Sequence, residues 1–510
     1  MRKTRSTHVW LGMATFVVAN VTAISGQETA RPPVPAKPDV LVVICDQWNP
    51  RCVSWDDAQV HTPNLAGIAR EGLIFDRCYT NSPVCMPARV SLITGWCPHN
   101  HGLWGNANDY HLPAAMAPMF RDIHGAGLTT AQIGKLHWFT GGNWHQDFPT
   151  IDDYCRAMGL DIVTSISGPP DAEGGHDLYT QYLEKRGLLG AVARDQLRRL
   201  RESEYEARPA TVDPEDYHDT FVTGIADEFI RKQPRDKPMC LVVSLHSPHP
   251  PLDAPGKYAT MFDPEDLALP ANVPEHFNYD RHVFDQADVR RMLANYLGKM
   301  ALCDDCIGRL IDAMKARGTW DQCLFIFTSD HGEMMGSHGA LSKGRFWEES
   351  ARVPLVVRWP GHVRTGRTPA LVQLFDVYPT IVEAVGGTLS PGRFAQSFLP
   401  VATGKATSAR ELAVSEIGMA PPLGMMIRDA RYKWWADNDH NRESEHLFDL
   451  DSDPLEQIDL APNPDHHDLL EKMRERALTW LRSTQVNLAE GSKSRVQRAR
   501  EAGQKDSQTK

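Results

Sequence analysis

Beyond its first 19 residues the sequence has no apolar run of the roughly 20 residues that crossing a bilayer requires. It also lacks an excess of basic residues, because 54 Lys and Arg face 65 Asp and Glu and leave a net charge of −11. The ten cysteines are scattered singly apart from Cys303 and Cys306, which lack a second Cys or His pair and so indicate no zinc site. We therefore expect no nucleic-acid partner and no stable membrane insertion.

The two ends of the chain differ in composition from the part between them. Arg2, Lys3 and Arg5 precede an apolar stretch over residues 9–19, and the small residues at 23–26 could accept signal peptidase. This pattern predicts a cleaved signal peptide over 1–26 and a secreted or periplasmic location, with an uncleaved membrane anchor as the alternative. A proline-rich linker is predicted over 27–38 and a charged, disordered tail over 488–510.

Short apolar, β-branched runs alternate with helical patterns through most of the chain. Strands are predicted at residues 40–44, 128–133, 240–245, 324–328 and 354–357, and helices at 64–71, 116–125, 217–232 and 288–317. This alternation predicts an α/β domain over 39–393, built on a large, mostly parallel sheet sandwiched by helices. Shorter strands after residue 394 predict a smaller α+β C-terminal subdomain over 394–487, with a short antiparallel sheet.

Polar side chains follow four of the predicted strands at the point where each strand ends. They are Asp46 and Gln47, Lys135 and His137, His249, and Asp330 and His331. Open α/β sheets bind ligands beyond the carboxyl ends of their strands, so the coincidence indicates one site.

The run around Cys85 has the chemistry of an anion site. Pro83 and Pro87 bracket the cysteine, and a helix-compatible pattern begins at Arg89. We therefore expect Cys85 on a constrained turn just before a helix N-terminus, where backbone N–H groups attract anions. Arg89 adds a positive fork suited to an oxyanion of sulfur or phosphorus.

Residues 85–95 resemble the sulfatase signature, Cys-x-Pro-Ser/Ala-Arg followed by a Leu-x-Thr-Gly-type run. The resemblance implies an alkaline-phosphatase-like fold and conversion of Cys85 to formylglycine by a formylglycine-generating or sulfatase-maturing enzyme. It also implies a sulfated small molecule or glycan as substrate. The hydrated aldehyde is the nucleophile in that family.

Two further stretches resemble the metal motifs of the family. Asp46-Gln47 is similar to its first motif, often Asp-Asp, and residues 327–333 are similar to its second. The implied metal ligands are Asp46, Gln47, modified Cys85, Asp330 and His331. Mostly oxygen ligands favour Ca²⁺, while the imidazole leaves Mg²⁺ and Mn²⁺ open.

The remaining site residues also come from the resemblance. Lys135 and His137 are similar to a Gly-Lys-Trp-His element, His249 to a His-Pro element, with His246 the weaker match, and Lys343 to a substrate-binding lysine. Arg89, Lys135 and Lys343 are expected to neutralise the ester oxygens. His249 or Lys343 is expected to protonate the leaving alcohol, and His137 to act as the base.

The expected function is an exported sulfatase acting on sulfate monoesters, with carbohydrate sulfates first and aryl or choline esters open. Related phosphonate and phosphate ester hydrolases can share the Asp-Gln start, so Gln47 keeps that activity as the alternative. A non-catalytic, polyanion-binding relative is the third reading. An acidic run at 449–456 is expected to be a solvated turn and not a second calcium loop.

Overall fold

The computed structural model describes residues 37–107, 110–112, 116, 118–139, 150–166, 177–418, 424–439 and 442–485. The predicted signal peptide, the predicted linker apart from its last two residues, and the predicted tail lie outside these residues. Within them, no helix has both the length and the apolar composition needed to cross a bilayer.

The secondary structure begins with a strand and ends with a helix. The strands are β1 Val40–Asp46, β2 Leu73–Tyr79, β3 Thr129–Gly134, β4 Ile162–Ser165, β5 Met239–Pro248, β6 His276–Tyr279, β7 His282–Asp285, β8 Leu324–Ser329, β9 Arg352–Val353, β10 Leu355–Arg358, β11 Gly366–Gln373, β12 Ala413–Ile417, β13 Gly424–Arg428, β14 Tyr432–Asp439 and β15 Arg442–Asp449. The α-helices are α1 Pro63–Glu71, α2 Cys85–Thr94, α3 Pro98–His101, α4 Met119–Gly125, α5 Ile151–Ala157, α6 Leu178–Lys185, α7 Leu189–Arg201, α8 His218–Lys232, α9 Gln286–Arg317, α10 Glu348–Ala351, α11 Val377–Ala384, α12 Leu399–Ala402 and α13 His467–Ser483.

A large mixed sheet forms the centre of the fold. Its strands lie in the order β11-β2-β10-β8-β1-β5-β3-β4, and β9 pairs with β2. Strand β1 is parallel to β5 and β8, and β3 is parallel to β4 and β5, whereas β10 runs antiparallel to β8 and β2. The predicted fold class, a mostly parallel sheet with helices and a C-terminal antiparallel sheet, is confirmed.

The side chains of β1 show how the sheet is covered on both faces. Leu41 and Val43 belong to the apolar core cluster that includes α8 and α9. Their neighbours Val42 and Ile44 belong to the cluster that includes α2, α4 and α11. Because successive strand residues point to opposite faces, an uninterrupted apolar run is what a doubly covered strand needs.

The helix that carries the cysteine begins earlier than expected. Cys85 is the first residue of α2 and does not precede the helix, which corrects the prediction of a turn ending before Arg89. Pro87 is tolerated because it lies in the first turn, where backbone N–H groups have no partner within the helix. The helix ends at Thr94 and is capped by Gly95, whose φ of 69° is left-handed.

The C-terminal part is a four-stranded antiparallel sheet, in the order β12-β13-β14-β15. The acidic run at 449–456 is not a solvated turn throughout. Glu456 is buried against Lys433, and Asp449 pairs with Arg431. These two carboxylates are therefore paired with basic side chains, one a buried lysine and the other a half-exposed arginine. The boundary between residues 39–393 and 394–487 stays a prediction.

Candidate active site and metal centre

Strands β8, β1, β5 and β3 are neighbours and parallel, so their carboxyl ends share one edge of the sheet. This edge brings together the polar residues predicted at the strand ends. The N-terminus of α2 meets them there, because the Sγ atom of Cys85 lies 3.1 Å from Nε2 of His331. The sulfur is therefore the point at which the helix and the sheet edge converge.

Cys85 lies in strongly positive surroundings, although its side chain is only 1% exposed. Burial alone raises the pKa of the thiol, but Lys343, His331 and Lys135 together bring it well below its ordinary value. The position thus stabilises a negative charge at this atom.

The hydrogen bonds of His331 determine where its lone pair points. Its Nδ1 lies 3.0 Å from the carbonyl oxygen of Gly332, which can only accept, so Nδ1 carries the proton. Nε2 faces Cys85 and is the nitrogen that offers a lone pair whenever the ring is neutral. A backbone carbonyl on the far nitrogen is the usual arrangement of a histidine that binds a metal.

Four side chains could hold a cation at this point. One ligand atom from each of Asp46, Cys85, Asp330 and His331 lies within 4.8 Å of the others, and all four residues are buried. The Oδ1 atom of Asp46 is buried and has no hydrogen-bond partner among the described residues. An unpartnered carboxylate oxygen next to a second carboxylate and an imidazole fits a divalent cation.

Arg89 ties the two carboxylates to the neighbouring strands. Its Nε donates to Asp330 at 2.8 Å, and one terminal nitrogen donates to the hydroxyl of Ser244 at 2.7 Å and to the carbonyl of Lys135 at 3.1 Å. The other terminal nitrogen lies 3.4 Å from Asp46. The guanidinium is 2% exposed, so these contacts hold it rigidly at the base of the site.

The loop after β3 supplies Lys135 and His137. Lys135 donates to Oδ2 of Asp46, and its ammonium lowers the pKa of that carboxyl against the effect of burial. His137 has a left-handed backbone, with φ of 49°. Burial and the Lys135 ammonium lower the pKa of its imidazole, which makes it a neutral group beside Cys85.

Lys343, Gln47 and His249 form the other wall. The Lys343 ammonium donates to Oε1 of Gln47 at 2.7 Å and to Nε2 of His249. Nδ1 of His249 lies 2.6 Å from the carbonyl of Pro250 and therefore carries the ring proton. Burial and Lys343 lower the pKa of His249 to about 4. His246, the weaker sequence match, packs edge-on against His249, with ring centroids 4.9 Å apart.

The structure thus brings together every site residue predicted from the sequence. It also adds three that the motifs did not assign: Ser244, Glu333 and Tyr205. Ser244 carries a sequence signal, since it is a polar residue near the end of an apolar run, and Glu333 lies within the run at 327–333. Tyr205 lies in the loop after α7, and no sequence pattern links it to the site.

A buried nucleophile position, a cluster that fits a cation, three basic side chains and two further imidazoles at one edge of an α/β sheet are what a metal-assisted hydrolase of anionic esters requires. Residues 38–387 match the family model described as Sulfatase, and residues 336–483 match the model described as N-sulphoglucosamine sulphohydrolase, C-terminal. The chain belongs to the sulfatase family and is a sulfuric ester hydrolase.

Individual relatives cover most of both chains. A choline-sulfatase of Rhizobium meliloti is 28% identical, with 84% of this chain and 83% of the relative covered. An arylsulfatase of Clostridium perfringens is 25% identical, with 90% and 97% covered. The crystal structure of a phosphonate monoester hydrolase of Agrobacterium radiobacter superposes with a TM-score of 0.73 at 25% identity, covering 88% of this chain and 96% of that one.

Proposed function

We propose that the protein is an exported sulfatase that hydrolyses sulfate monoesters of carbohydrates, with formylglycine at position 85 and a divalent cation held by Asp46, Gln47, position 85, Asp330 and His331. The observation that carries the proposal is the convergence of Cys85, at the first residue of a helix, with the unpartnered carboxylate oxygen of Asp46. The cation is most simply Ca²⁺, since oxygen donors predominate, with Mg²⁺ and Mn²⁺ as the other fits.

The formylglycine and the divalent cation would supply the chemistry that unmodified side chains perform poorly. The hydrated aldehyde at position 85 would offer a hydroxyl nucleophile and a second hydroxyl for release of sulfate, and a cation held by the cluster would withdraw charge from the sulfuryl oxygens. The chain's own residues supply charge and proton transfer. Arg89 is held by Asp330 and Ser244, while Lys135 and Lys343 face the position from opposite walls. We assign these cations the neutralisation of the sulfuryl oxygens.

The hydrogen bonds favour a division of the acid and base roles. His249 has its proton on Nδ1, hydrogen-bonded to the carbonyl of Pro250, so its Nε2 accepts a hydrogen bond from Lys343 and has no proton to donate. We therefore assign protonation of the leaving alcohol to Lys343, with His249 orienting it. His137, neutral and beside position 85, is assigned the role of the base that removes the proton of the second hydroxyl.

The substrate class and the location rest on separate support. The match of residues 336–483 to a family model described by a sulfated amino sugar favours a carbohydrate sulfate. The basic residues before the apolar stretch at 9–19 favour export. Fractionation of the host, with N-terminal sequencing of the exported form, tests the location: an intact residue 1 in the cytoplasmic fraction contradicts it.

One experiment tests the activity. Protein produced with a sulfatase-maturing enzyme is digested, and the peptide containing position 85 is identified by mass spectrometry as aldehyde or thiol. The same preparation is assayed for sulfate release from sulfated glycans, aryl sulfate and choline sulfate, and for hydrolysis of a phosphonate monoester and a phosphate diester. Aldehyde at position 85 and faster hydrolysis of a sulfated glycan than of the other esters are expected. A thiol in fully active protein, or a Cys85→Ala variant that retains activity, contradicts the proposal, and faster phosphonate hydrolysis favours the alternative.

A further inference from the structure

Glu333 is a buried carboxylate whose contacts all come from donors. Its side chain is fully buried, at 0% exposure. Oε1 accepts from the backbone N–H groups of Met335, at 2.9 Å, and Ser342, at 2.7 Å. Oε2 accepts from the hydroxyl of Tyr205 at 3.0 Å and from the amide nitrogen of Gln47. These four donors satisfy both oxygens of an ionised carboxylate, and none of the four carries a positive charge.

These contacts determine which way the Gln47 amide faces. The single Tyr205 hydroxyl proton goes to Glu333, so its oxygen accepts from Nε2 of Gln47, 3.3 Å away. Both acceptors therefore lie on the nitrogen side of the amide. The oxygen side faces the Lys343 ammonium, which can only donate. A reversed amide would set an oxygen against the Glu333 carboxylate and an NH₂ group against the ammonium.

The backbone of Gln47 is fixed independently of its side chain. Its φ of 63° is left-handed. Its N–H donates to Asp330 at 3.2 Å, and its carbonyl accepts from the hydroxyl of Tyr296 at 2.6 Å. What remains to be set is the rotation of the amide, which decides whether an oxygen or an NH₂ group faces the Lys343 ammonium and, in the proposed function, the cation.

We propose that Glu333 is a positioning residue, which acts with Tyr205 to hold the Gln47 amide with its oxygen toward the cation. This inference rests on the proposed function, in which Gln47 offers an oxygen to the cation. Glutamine at 47 and glutamate at 333 form a matched pair, because a carboxylate at 47 would face the Glu333 carboxylate within hydrogen-bond distance. The single negative charge of the pair lies on Glu333, which contacts the Gln47 amide nitrogen and not the oxygen proposed to bind the cation.

The test is a double-mutant cycle on Ca²⁺ binding, measured by calorimetry on metal-free protein, with metal content checked by elemental analysis. E333Q is expected to bind Ca²⁺ roughly 10–100-fold more weakly. In E333Q the new amide oxygen still accepts from the N–H groups of Met335 and Ser342, so its NH₂ group faces Gln47. The Gln47 amide must then turn its oxygen toward residue 333 and its NH₂ group toward the cation. Q47E alone is expected to bind no more tightly than wild type, despite its added charge. The double variant Q47E/E333Q is expected to bind at least about tenfold more tightly than E333Q, because a carboxylate at 47 can accept from the new amide.

Additive effects in the cycle would overturn the positioning role, since a residue that only braces the loop at 335–342 gives no such rescue. Thermal unfolding of the metal-free variants shows whether each is folded. If E333Q is not folded, Ca²⁺ binding by the single variants Q47E and Y205F tests the inference instead. Y205F is expected to weaken Ca²⁺ binding by less than about tenfold, and a Q47E variant that binds about tenfold more tightly than wild type would overturn the inference.

A further variant separates this inference from the proposed function. D330N removes a carboxylate from the cation cluster without touching Glu333. If D330N and wild type bind Ca²⁺ equally, the cation site itself is wrong, and the role of Glu333 falls with it. If D330N loses binding while the Gln47–Glu333 cycle is additive, only the role of Glu333 is wrong.

Discussion

Arg89 and Asp330 form an ion pair with 2.8 Å between Nε and Oδ2, and their side chains are 2% and 0% exposed. The same guanidinium reaches Asp46 at 3.4 Å, so one buried cation serves two buried carboxylates. Such an arrangement is costly to break, because removal of either partner leaves charges without compensation in a medium of low polarity.

Replacement of Arg89 should therefore destabilise the fold as well as the site. Arg89→Met leaves Asp46 and Asp330 facing each other, and we expect a loss of about 3–5 kcal/mol in the free energy of unfolding. Saturating Ca²⁺ should restore part of this loss, because the cation neutralises the same two carboxylates. Thermal unfolding with and without Ca²⁺ measures both effects. The control is Arg198→Met, since Arg198 is exposed on α7. Equal stability of Arg89→Met and this control would contradict the prediction.

Lys343 should matter most for substrates whose leaving group needs a proton. Its ammonium points to Gln47 and His249, and burial, which lowers the pKa of this lysine, is outweighed by Cys85, Asp46 and Asp330, which raise it. For Lys343→Met we expect kcat/KM to fall roughly 10²–10⁴-fold with an alkyl or sugar sulfate. The loss should be much smaller with an aryl sulfate, whose phenolate leaves readily.

Lys135→Met is the matched control for this experiment. Lys135 contacts Asp46 on the opposite wall and should act on the sulfuryl charge of every substrate alike. Kinetics across a series of leaving groups therefore distinguish the two lysines. The measured quantity is the slope of log kcat/KM against the pKa of the leaving group. If this slope is the same in Lys343→Met as in wild type and steeper in Lys135→Met, the acid is Lys135 instead.

The sequence predicted the central part of this site because strand ends and motifs carry local signals. Val40 to Ile44 is apolar throughout, and its burial on both faces of the sheet follows from that pattern. Strand β2 was not predicted, because Asp76 and Arg77 interrupt its apolar run, and both side chains are only half-buried. Pairing with β10 and β11, far along the chain, makes this segment a strand, and no local pattern contains that information.

Local sequence patterns also fail to predict the parts of the site that depend on tertiary contacts. Cys85, Asp330 and His331 belong to recognisable motifs, but the contact of Tyr205 with Glu333 joins residues 128 positions apart. Tyr205 follows α7 in a stretch rich in charged residues, where a tyrosine has no pattern that marks it as buried. Its role depends on the tertiary contact alone. The predicted start of α2 is too late for a different reason: proline is excluded from a helix interior, but Pro87 lies in the first turn, where proline is tolerated.

His331 should contribute to cation affinity through Nε2. His331→Phe keeps the ring volume and removes the ligand atom, and we expect Ca²⁺ binding at least roughly 100-fold weaker than in wild type. His101→Phe is the control, because His101 is equally buried but contacts Ser91 outside the site. Calorimetry on metal-free protein measures both. A loss of affinity of the same size in the two variants would indicate a general effect of replacing a buried histidine, and not a ligand.

The contact between His99 and Glu416 should make stability depend on pH. Nδ1 of His99 lies 2.7 Å from the Glu416 carboxylate, and Nε2 lies 3.2 Å from the carbonyl of Thr484. Both partners can only accept, so both ring nitrogens donate and the imidazole is protonated in the folded protein. Burial lowers the pKa of His99, but the Glu416 contact outweighs it and raises the pKa above its ordinary value.

The direction of the effect follows from that shift. A pKa raised by folding gives stability that is fully present below the unfolded value of about 6.5 and is lost as the pH rises through the folded value. Neighbouring His101 does not share the titration, since burial lowers its pKa to about 3. Wild type should therefore exceed His99→Gln by about 1.5–3 kcal/mol near pH 6, the range for a hydrogen bond to a charged group, and the gap should narrow by about pH 8.5. The control is His467→Gln, which removes an exposed imidazole on α13. Chemical denaturation at several pH values measures the gap, and a gap that is constant or widens with pH would show that His99 is neutral in this contact.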